Sequence, residues 1–185
     1  MGSHMELRCE QNLDLYMDQA LVQARQAFDR GEFPVGCVIV QNGQVISSGS
    51  RVGTGAGQTF FSEVDHAEIR ALKNLEHVDG QFDPGQCVIF STMEPCLMCF
   101  GAIVLSGIKT IVYAYEDAMG GGTGCDLKSL PPLYRERSVE VIGGVGREKS
   151  LELFYRFFKK EDNRYWKDSF LEAYTLRQKQ VENHP

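Results

Sequence analysis

Apolar residues recur with two different periods in the first fifty positions of the chain. Over residues 13–30 they fall at every third or fourth position, which places them on one face of a helix, and Gly31 follows where such a helix would end. A short, branched, apolar run at 35–40 and a second run at 45–48 are separated by Asn42 and Gly43, a pair typical of hairpin turns. This part of the chain therefore predicts a helix followed by a β-hairpin.

Helix-like and strand-like patterns alternate through the remainder of the chain. Further helices are predicted at residues 67–75, 97–105, 149–159 and 163–177, and further strands at 87–90, 108–113 and 139–142. Polar or glycine-rich segments predict loops at 50–63, 79–80, 83–85 and 115–137. The last predicted helix places Trp166, Phe170, Ala173 and Tyr174 on one face. A hairpin followed by alternating helices and strands indicates an α/β fold, with helices on both faces of a mixed sheet.

The balance of residue types is that of a globular protein. Hydrophobic residues make up 43% of the 185 residues and charged residues 24%, which suits one domain with a buried core. No apolar run approaches the roughly 20 residues that a membrane helix needs, and no signal-peptide pattern opens the chain. We therefore expect a soluble cytoplasmic protein. Residues 1–4 resemble a cloning remnant, and we expect a main domain over 5–160 with a helical extension of that domain over 161–185.

Charge and cysteine content narrow the class of protein further. The formal net charge is −6, which argues against a large nucleic-acid partner because Lys and Arg contacts to phosphates drive such binding. The six cysteines of a cytosolic chain are expected to be free rather than in disulfides. Cys37 and Cys87 lie in apolar runs and are expected to be small buried residues, while Cys9 and Cys125 stand alone. Cys96 and Cys99 form the only closely spaced pair.

Two short motifs supply candidate metal ligands. They are His66-Ala67-Glu68 and, 27 residues after Glu68, the segment that runs from Pro95 to Cys99. Catalytic zinc takes three protein ligands from His and Cys and keeps one position open for water, whereas a structural site would need a fourth nearby ligand that the sequence does not offer. Because His66 and Cys96 each precede a predicted helix, two helix N-termini could meet at one place, where they favour thiolates. His66, Cys96 and Cys99 are therefore the predicted zinc ligands.

Glu68 is the predicted proton carrier beside this metal. In the first turn of a helix it can reach over the same open end as His66, next to the zinc rather than on it. Zinc lowers the pKa of a bound water to near neutrality, and a carboxylate there can take the water's proton and deliver protons to a ring nitrogen and the leaving amine. Taken singly, a lone His is usually structural and a C-x-x-C pair is often a redox pair or half of a zinc knuckle. The combined order H-x-E and P-C-x-x-C is the known signature of zinc-dependent nucleobase deaminases, so the assignment recognises a pattern as much as it follows from donor chemistry.

With these motifs the chain resembles the cytidine deaminase-like superfamily, and within it the branch of tRNA adenosine deaminases and guanine deaminases. The resemblance covers residues 13–158 and is carried by three segments, 33–36, 66–69 and 93–103, of which the last is the most specific. It implies a three-layer α/β/α sandwich around a five-stranded mixed sheet, a zinc cofactor, and a homodimer or higher assembly.

The chain departs from the tRNA-acting members of that branch at several positions. Those enzymes typically carry a Trp-Asn pair after the second strand, whose Asn contacts the target, and here the pair is Ser50-Arg51. After the fourth strand they show an Arg-Asp-Ala-Lys pattern, which here begins with Glu116 and ends with Met119. The loop before His66 is also longer, and the short basic C-terminal helix is replaced by a longer one of mixed charge. Each lost cation removes a possible phosphate contact, and a carboxylate such as Glu116 near the path of a nucleic-acid strand would add repulsion.

Candidate substrate contacts lie beside the ligand motifs and in the segments that depart from the family pattern. Phe33 could stack on the substrate ring or belong to the core. Arg51 could anchor a substrate or phosphate group or be a solvated loop charge, and Asp117 could hold the substrate edge or cap a turn. Three further candidates flank the predicted ligands: Ala67, Glu94 and Pro95.

The sequence therefore predicts zinc-dependent hydrolytic deamination of a nucleobase, a nucleoside or a related small heterocycle. Three alternatives stay open: editing of adenosine to inosine in tRNA, a non-catalytic scaffold stabilised by zinc, and an RNA-binding module without chemistry. A local basic surface would favour RNA, and a dimer could supply one from four clustered cations that otherwise indicate solvated helix faces: Lys159, Lys160, Arg164 and Lys167.

Overall fold

The computed structural model describes residues 12–55, 61–77 and 82–183. Its helices are α1 (Leu13–Asp29), α2 (Ala67–Asn74), α3 (Leu97–Ser106), α4 (Pro132–Arg135), α5 (Arg147–Phe158) and α6 (Phe170–Asn183). Its strands are β1 (Gly36–Gln41), β2 (Gln44–Ser50), β3 (Cys87–Met93), β4 (Thr110–Tyr115) and β5 (Glu140–Ile142). None of the helices in these ranges is long and apolar enough to cross a lipid bilayer.

The strands form one mixed sheet with the order β2-β1-β3-β4-β5. β1 pairs antiparallel with β2 and with β3, whereas β3, β4 and β5 run parallel to one another. The predicted hairpin is present, with Asn42 and Gly43 both at positive φ in its turn. The five-stranded mixed sheet expected from the resemblance is confirmed.

Each face of the sheet has its own hydrophobic core. Successive side chains of β1 point to opposite faces of the sheet. Cys37 and Ile39 belong to one core, and Val38 and Val40 belong to the other. The apolar face of α1 covers the second core, and α2 and α3 cover the first. Because successive strand residues point to opposite faces, this alternation produces the three layers that the sequence predicted.

Glycine lets the helix that carries His66 approach the sheet. A Cβ at Gly49 on β2 would collide with the carbonyl oxygen of Ala67 and lie 2.6 Å from the amide nitrogen of Ala71. The backbone of α2 therefore packs directly on β2, and the start of the helix is fixed against the sheet. Gly36 plays the same part for α1, whose Ala20 carbonyl would meet its Cβ.

The C-terminal part of the chain differs from the prediction. Residues 163–169 were expected to begin a helix, but they form turns, and α6 begins only at Phe170. Trp166 and Asp168 have φ values of 54° and 61°, in the left-handed region that a right-handed helix excludes. The predicted helical face that joined Trp166 to Tyr174 is therefore wrong. Residues 116–137 are irregular as expected, apart from α4 and a 3₁₀ turn at Leu127–Ser129, whereas Tyr115, which was expected in the same loop, ends β4. Positions 79–80 and Cys9 lie outside the described residues.

Candidate active site

His66 and Cys96 are the residues that immediately precede α2 and α3. Both have extended backbone conformations, with φ and ψ of −69° and 156° for His66 and −67° and 170° for Cys96. Neither uses its side chain to cap its own helix. The imidazole and the thiol are therefore available to a common point outside the two helix ends, as the sequence predicted.

Three ligand atoms meet at that point. Nδ1 of His66 lies 3.5 Å from Sγ of Cys96 and 3.4 Å from Sγ of Cys99, and all three atoms lie within 4.8 Å of one another. A tetrahedral zinc ion with Zn–S of about 2.3 Å and Zn–N of about 2.0–2.1 Å holds S and N about 3.5–3.6 Å apart. The donor set and its spacing therefore fit zinc.

The two sulfur atoms differ in proton affinity. The hydrogen bond from Cys99 lowers the pKa of the Cys96 thiol to about 4 despite its partial burial, with a further contribution from His66. The same hydrogen bond, together with burial, raises the pKa of the Cys99 thiol well above its usual range. One thiolate is thus ready for a cation, and the second proton leaves when metal binds, as metal binding to cysteine requires.

Glu68 lies beside this ligand group without belonging to it. Its side chain is 3% exposed, Oε1 accepts a 2.9 Å hydrogen bond from Oγ of Ser91, and Oε2 lies 3.6 Å from Sγ of Cys99. Burial raises the pKa of the Glu68 carboxyl, although the charge of His66 and the bond from Ser91 act in the opposite direction. A buried carboxyl that holds a proton more readily than usual suits a group that accepts and returns protons.

A cavity of about 310 Å³ opens on these residues, at the lower end of the range of about 300–1,000 Å³ for small-molecule sites. His66, Glu68 and Cys96 line it. Of the six candidate substrate contacts, the structure brings five to its wall: Phe33, Arg51, Ala67, Glu94 and Asp117. Pro95 is buried behind the wall and does not line the cavity, and its carbonyl oxygen accepts a bond from the amide of Gly122.

Phe33 belongs to the hydrophobic core, which is one of the two roles that the sequence left open. Its ring is 6% exposed and packs against Phe154, Phe157 and Phe158, with centroids 5.1, 5.4 and 6.2 Å away. It also lines the cavity. An aromatic ring held by the core on one side can offer an apolar wall to a planar ligand on the other.

Arg51 is buried, and the expectation of a solvated loop charge is wrong. Its side chain is 2% exposed, and Nη2 lies 2.7 Å from the carbonyl oxygen of Ser62, 3.3 Å from Oε2 of Glu63 and 3.4 Å from the hydroxyl of Tyr165. One of these three partners is distant in the chain, since Tyr165 comes from its far end. Nη1 is buried with no hydrogen-bond partner among the described residues.

Asp117 caps a turn, which is one of the two roles that the sequence left open for it. Its Oδ1 accepts from the amides of Met119 and Gly120 at 3.0 and 2.8 Å. Glu94 fastens the same loop, because its carboxylate accepts from the amide of Asp117 at 3.2 Å and from the hydroxyl of Thr123 at 2.5 Å. Both side chains therefore hold the wall of the cavity in place, whatever contact they make with a ligand.

Two charge assignments from the sequence change in the structure. Glu116 was expected to repel a nucleic-acid strand, but its carboxylate is paired with Arg147 at 2.8 and 2.5 Å and accepts a 2.8 Å bond from Tyr174. Lys160 was expected on a solvated face, but its Nζ lies 3.7 Å from the centroid of the Phe28 ring and 3.2 Å from the Phe28 carbonyl oxygen. Glu116 is therefore not a free negative charge that would repel RNA.

Some residues of the site had no signal in the sequence. Tyr165, Trp166 and Leu171 line the cavity from the C-terminal segment, more than sixty residues after the ligand motifs. Ser91 reaches Glu68 from β3. A tyrosine in a turn and a serine in a buried strand have many ordinary explanations, so only the folded chain identifies them. The one indication in the sequence was that Ser91 is a polar residue directly after the apolar residues of β3.

Known proteins resemble this chain over the segment that carries the site residues. The model of the family described as the cytidine and deoxycytidylate deaminase zinc-binding region matches residues 10–115, which include all three ligands and Glu68. A protein from Bacillus subtilis named tRNA-specific adenosine deaminase is 30% identical over 146 residues, covering 79% of this chain and 88% of the relative. The family resemblance drawn from the motifs is thereby confirmed.

Solved structures agree on the fold. A tRNA:A34 deaminase studied for A-to-I editing at the wobble position superposes with a TM-score of 0.62 at 31% identity, covering 75% of this chain and 97% of its own. A guanine deaminase from Nitrosomonas europaea superposes with a TM-score of 0.59 at 23% identity, covering 78% of this chain and 83% of its own. The second likeness concerns the fold alone.

Proposed function

We propose that this protein, which belongs to the family of the cytidine and deoxycytidylate deaminase zinc-binding region, acts on a small aminated heterocycle. It is a zinc-dependent deaminase, a hydrolase of the nucleobase and nucleoside class. The proposal concerns the size of its substrate. A free base, a nucleoside or a related ring compound is favoured over an adenosine within tRNA.

Three residues of this chain would hold the zinc ion: His66 through Nδ1, and Cys96 and Cys99 through their sulfur atoms. When bound, zinc supplies Lewis acidity, which makes water nucleophilic near neutral pH. Both helix N-termini at the site favour the negative charge of the thiolates.

Glu68 carries the protons of the reaction. Its carboxylate accepts a proton from the attacking water and returns it to the ring nitrogen next to the carbon under attack. The second proton of that water, now on the hydroxyl that the ring carbon has gained, passes by the same carboxylate to the exocyclic amine as the C–N bond breaks, and ammonia leaves. The new C–O bond becomes the carbonyl of the product. Ser91 orients the carboxylate through its bond to Oε1, and burial excludes bulk water from the transfer.

The observation that carries the small-substrate proposal is that the C-terminal segment contributes Tyr165 and Trp166 to the wall of the cavity. Tyr165 lies between Glu63 and Arg51, with its hydroxyl 2.8 Å from Oε2 of Glu63, and its ring centroid is 5.3 Å from that of Phe33. Trp166 continues this wall. Residues from the turn before α6 therefore form part of the wall of a site that must stay open wide enough for a flipped nucleotide and its strand if RNA is the substrate. The net charge of −6 supports the same conclusion.

Editing of tRNA is the second candidate, and two observations favour it. The relative from Bacillus subtilis carries that activity in its name at 30% identity, and Glu116 is neutralised by Arg147 rather than free to repel a strand. The test is a side-by-side assay of ammonia release at physiological salt, with bases, nucleosides, nucleotides and an anticodon stem-loop. Turnover of a base or nucleoside with a silent stem-loop is expected. Efficient inosine formation in the stem-loop with no turnover of small compounds would replace this proposal by the tRNA candidate.

We also propose that two copies of the chain associate through α3. Leu97 and Leu105 are 64% and 50% exposed, and they stand at i and i+8, on the same side of the helix as Gly101 between them. A Cβ at Gly101 would meet nothing within 4 Å, so this side is smooth as well as apolar. Exposed leucines on a smooth helix face suit a second copy of the same face in a two-fold dimer.

The redox state of the cysteines supports a cytoplasmic location. The five cysteines within the described residues are all free thiols. Free thiols, two of them needed as metal ligands, persist in a reducing compartment and are oxidised outside it.

A further inference from the structure

The cavity is lined by a buried cation, Arg51, one of whose two terminal nitrogens has no hydrogen-bond partner among the described residues. Nη2 of Arg51 has three oxygen atoms within 3.4 Å, contributed by Ser62, Glu63 and Tyr165. Nη1 of the same guanidinium is buried without a partner among the described residues. A buried donor without an acceptor is costly, and the cost is greater for a charged group. Since Arg51 lines the cavity, a ligand there can supply the missing acceptor.

The guanidinium is held firmly in this position. The amide of Arg51 donates to the carbonyl oxygen of Val35 at 3.0 Å. The loop that follows is fixed by the buried carboxylate of Glu32, which accepts from the amides of Gly53, Thr54 and Gly55 at 3.2, 2.6 and 2.8 Å. Because backbone and side chain are both anchored, Nη1 cannot simply turn away to find water, and its donors are preorganised for a ligand.

The charges around Arg51 decide what kind of acceptor fits. Its positive charge already faces Glu63 at 3.3 Å, and the same cavity is lined by Glu68, Glu94 and Asp117. A phosphate or a carboxylate would add negative charge to a wall that already carries four carboxyl groups. A neutral oxygen offers lone pairs without that repulsion.

We propose that Arg51 determines specificity by donating from Nη1 to a ring oxo group, so that the preferred substrate carries an oxo group as well as the amine that leaves. This inference rests on the proposed function and specifies the substrate class of the same site. Arg51 recognises the ring, while Glu68 and the metal ligands act on the amine. A heterocycle without the oxo group leaves Nη1 unpaired and binds less well, in the way that sites built for a hydrogen bond reject analogues that lack it.

The test compares matched pairs of aminated rings that differ by one oxo group: isoguanine and adenine, guanine and 2-aminopurine, cytosine and 4-aminopyrimidine. For the ring that fits, kcat/KM of the zinc-loaded wild-type protein is expected to be at least about tenfold higher for the oxo compound. Titration calorimetry with oxo rings that have no amine to lose measures the same preference without turnover: hypoxanthine and 2-oxopurine are compared with purine, and 2-pyrimidinone with pyrimidine. The ring whose oxo position matches the preferred pair is expected to bind more tightly than its parent.

Variants assign that preference to Arg51. In Arg51→Met the two members of each pair should become nearly equal, and Arg51→Lys, which keeps the charge but loses the second nitrogen, should lose most of the preference. Arg30→Met is the matched control, because Arg30 is exposed and its Nη2 bonds Ser50 at 2.8 Å outside the cavity. If Arg51→Met does not fold, the wild-type pairs and Arg51→Lys still decide the question.

The possible failures are distinguishable. Equal turnover and equal binding of both members in every pair would overturn the inference and leave small-molecule deamination standing. A preference for 5′-monophosphates that disappears in Arg51→Met would also overturn it, because Arg51 would then bind phosphate. Turnover confined to the tRNA stem-loop would overturn the proposed function. If, in addition, none of the oxo rings bound more tightly than its parent ring, the inference about Arg51 would be rejected as well.

Discussion

The hydroxyl of Ser91 on β3 donates a 2.9 Å hydrogen bond to Oε1 of Glu68 on α2, so the strand at the centre of the sheet orients the carboxyl at the metal site. Both side chains are buried, at 1% and 3% exposure. Oε2 is left on the side of Cys99. One oxygen is thus committed to the scaffold and the other faces the chemistry.

Replacement of Glu68 by Gln should remove most of the activity while leaving zinc and fold intact. The amide has the same shape but cannot accept a proton from water, and general acid–base groups contribute about 10²–10⁴-fold. Turnover and zinc content measured on the same sample test this. Glu76→Gln, an exposed carboxyl at the end of the same helical segment, serves as the control and should stay at the wild-type rate. A normal rate in Glu68→Gln would show that another group carries the proton.

Loss of the Ser91 hydroxyl should have a smaller effect of the same kind. In Ser91→Ala, Glu68 keeps its carboxyl but loses the partner that fixes its rotamer, and a bond to a charged group is worth about 1.5–3 kcal/mol. We expect kcat to fall about tenfold with little change in KM, and Ser91→Thr to restore part of the loss. If KM changed and kcat did not, Ser91 would act on the ligand rather than on Glu68.

Metal content should be about one zinc per chain, and it should depend on both cysteines at α3. Cys96→Ala and Cys99→Ala each remove one of three protein ligands, so zinc and activity should be lost together. Cys125→Ala is the matched control, since Cys125 is half-buried and does not line the cavity. Elemental analysis after dialysis measures the outcome. Full occupancy in both ligand variants would refute the ligand assignment.

The pairing of Glu116 with Arg147 should make stability depend on pH. Burial raises the pKa of Glu116, but the bonds from Arg147 and Tyr174 outweigh it, so the folded-state pKa lies below the ordinary value. A depressed carboxyl pKa stabilises the fold above the unfolded-state pKa, and this contribution is lost as pH falls through the folded-state value. Glu116→Gln should therefore cost about 1 kcal/mol at pH 7 and progressively less below about pH 4. Urea unfolding at several pH values measures this, with exposed Glu161→Gln as control, and a penalty that did not shrink in acid would assign the effect to packing.

Association through α3 predicts that one charge on its exposed face separates the copies. Leu105→Arg places a cation where a second copy would bury a leucine, and an unpaired buried charge is strongly unfavourable. Light scattering after gel filtration should then show a monomer for Leu105→Arg and a dimer for the wild type. Leu15→Arg, at a leucine 53% exposed on α1, is the control and should remain dimeric. A monomeric wild-type protein at micromolar concentration would exclude the interface.

The sequence by itself predicted the sheet, the candidate metal ligands and the candidate proton carrier. Two of the signals are local. Side chains in β1 alternate between the two faces of the sheet because a strand has a period of two, and Asn42-Gly43 marks a hairpin turn because both residues readily adopt positive φ. His66, Cys96 and Cys99 were identified because zinc accepts few donor types, and because side chains just ahead of two helices have few directions to point. The predicted strand ends differ from the observed ones by up to three residues, since pairing with neighbours rather than composition decides where a strand ends.

Only the tertiary structure decided the shape and polarity of the cavity. A loop arginine is normally solvated, but Arg51 is buried, and one of its hydrogen-bond partners, Tyr165, lies 114 residues away in the chain. Likewise the negative charge of Glu116 is offset by its pairing with Arg147 on α5. Trp166 reaches the site because residues with left-handed backbone conformation interrupt a segment whose apolar period indicated a helix. Such contacts depend on how distant segments are brought together, and a hydrophobic period reports only which side of an element is buried, not what covers it.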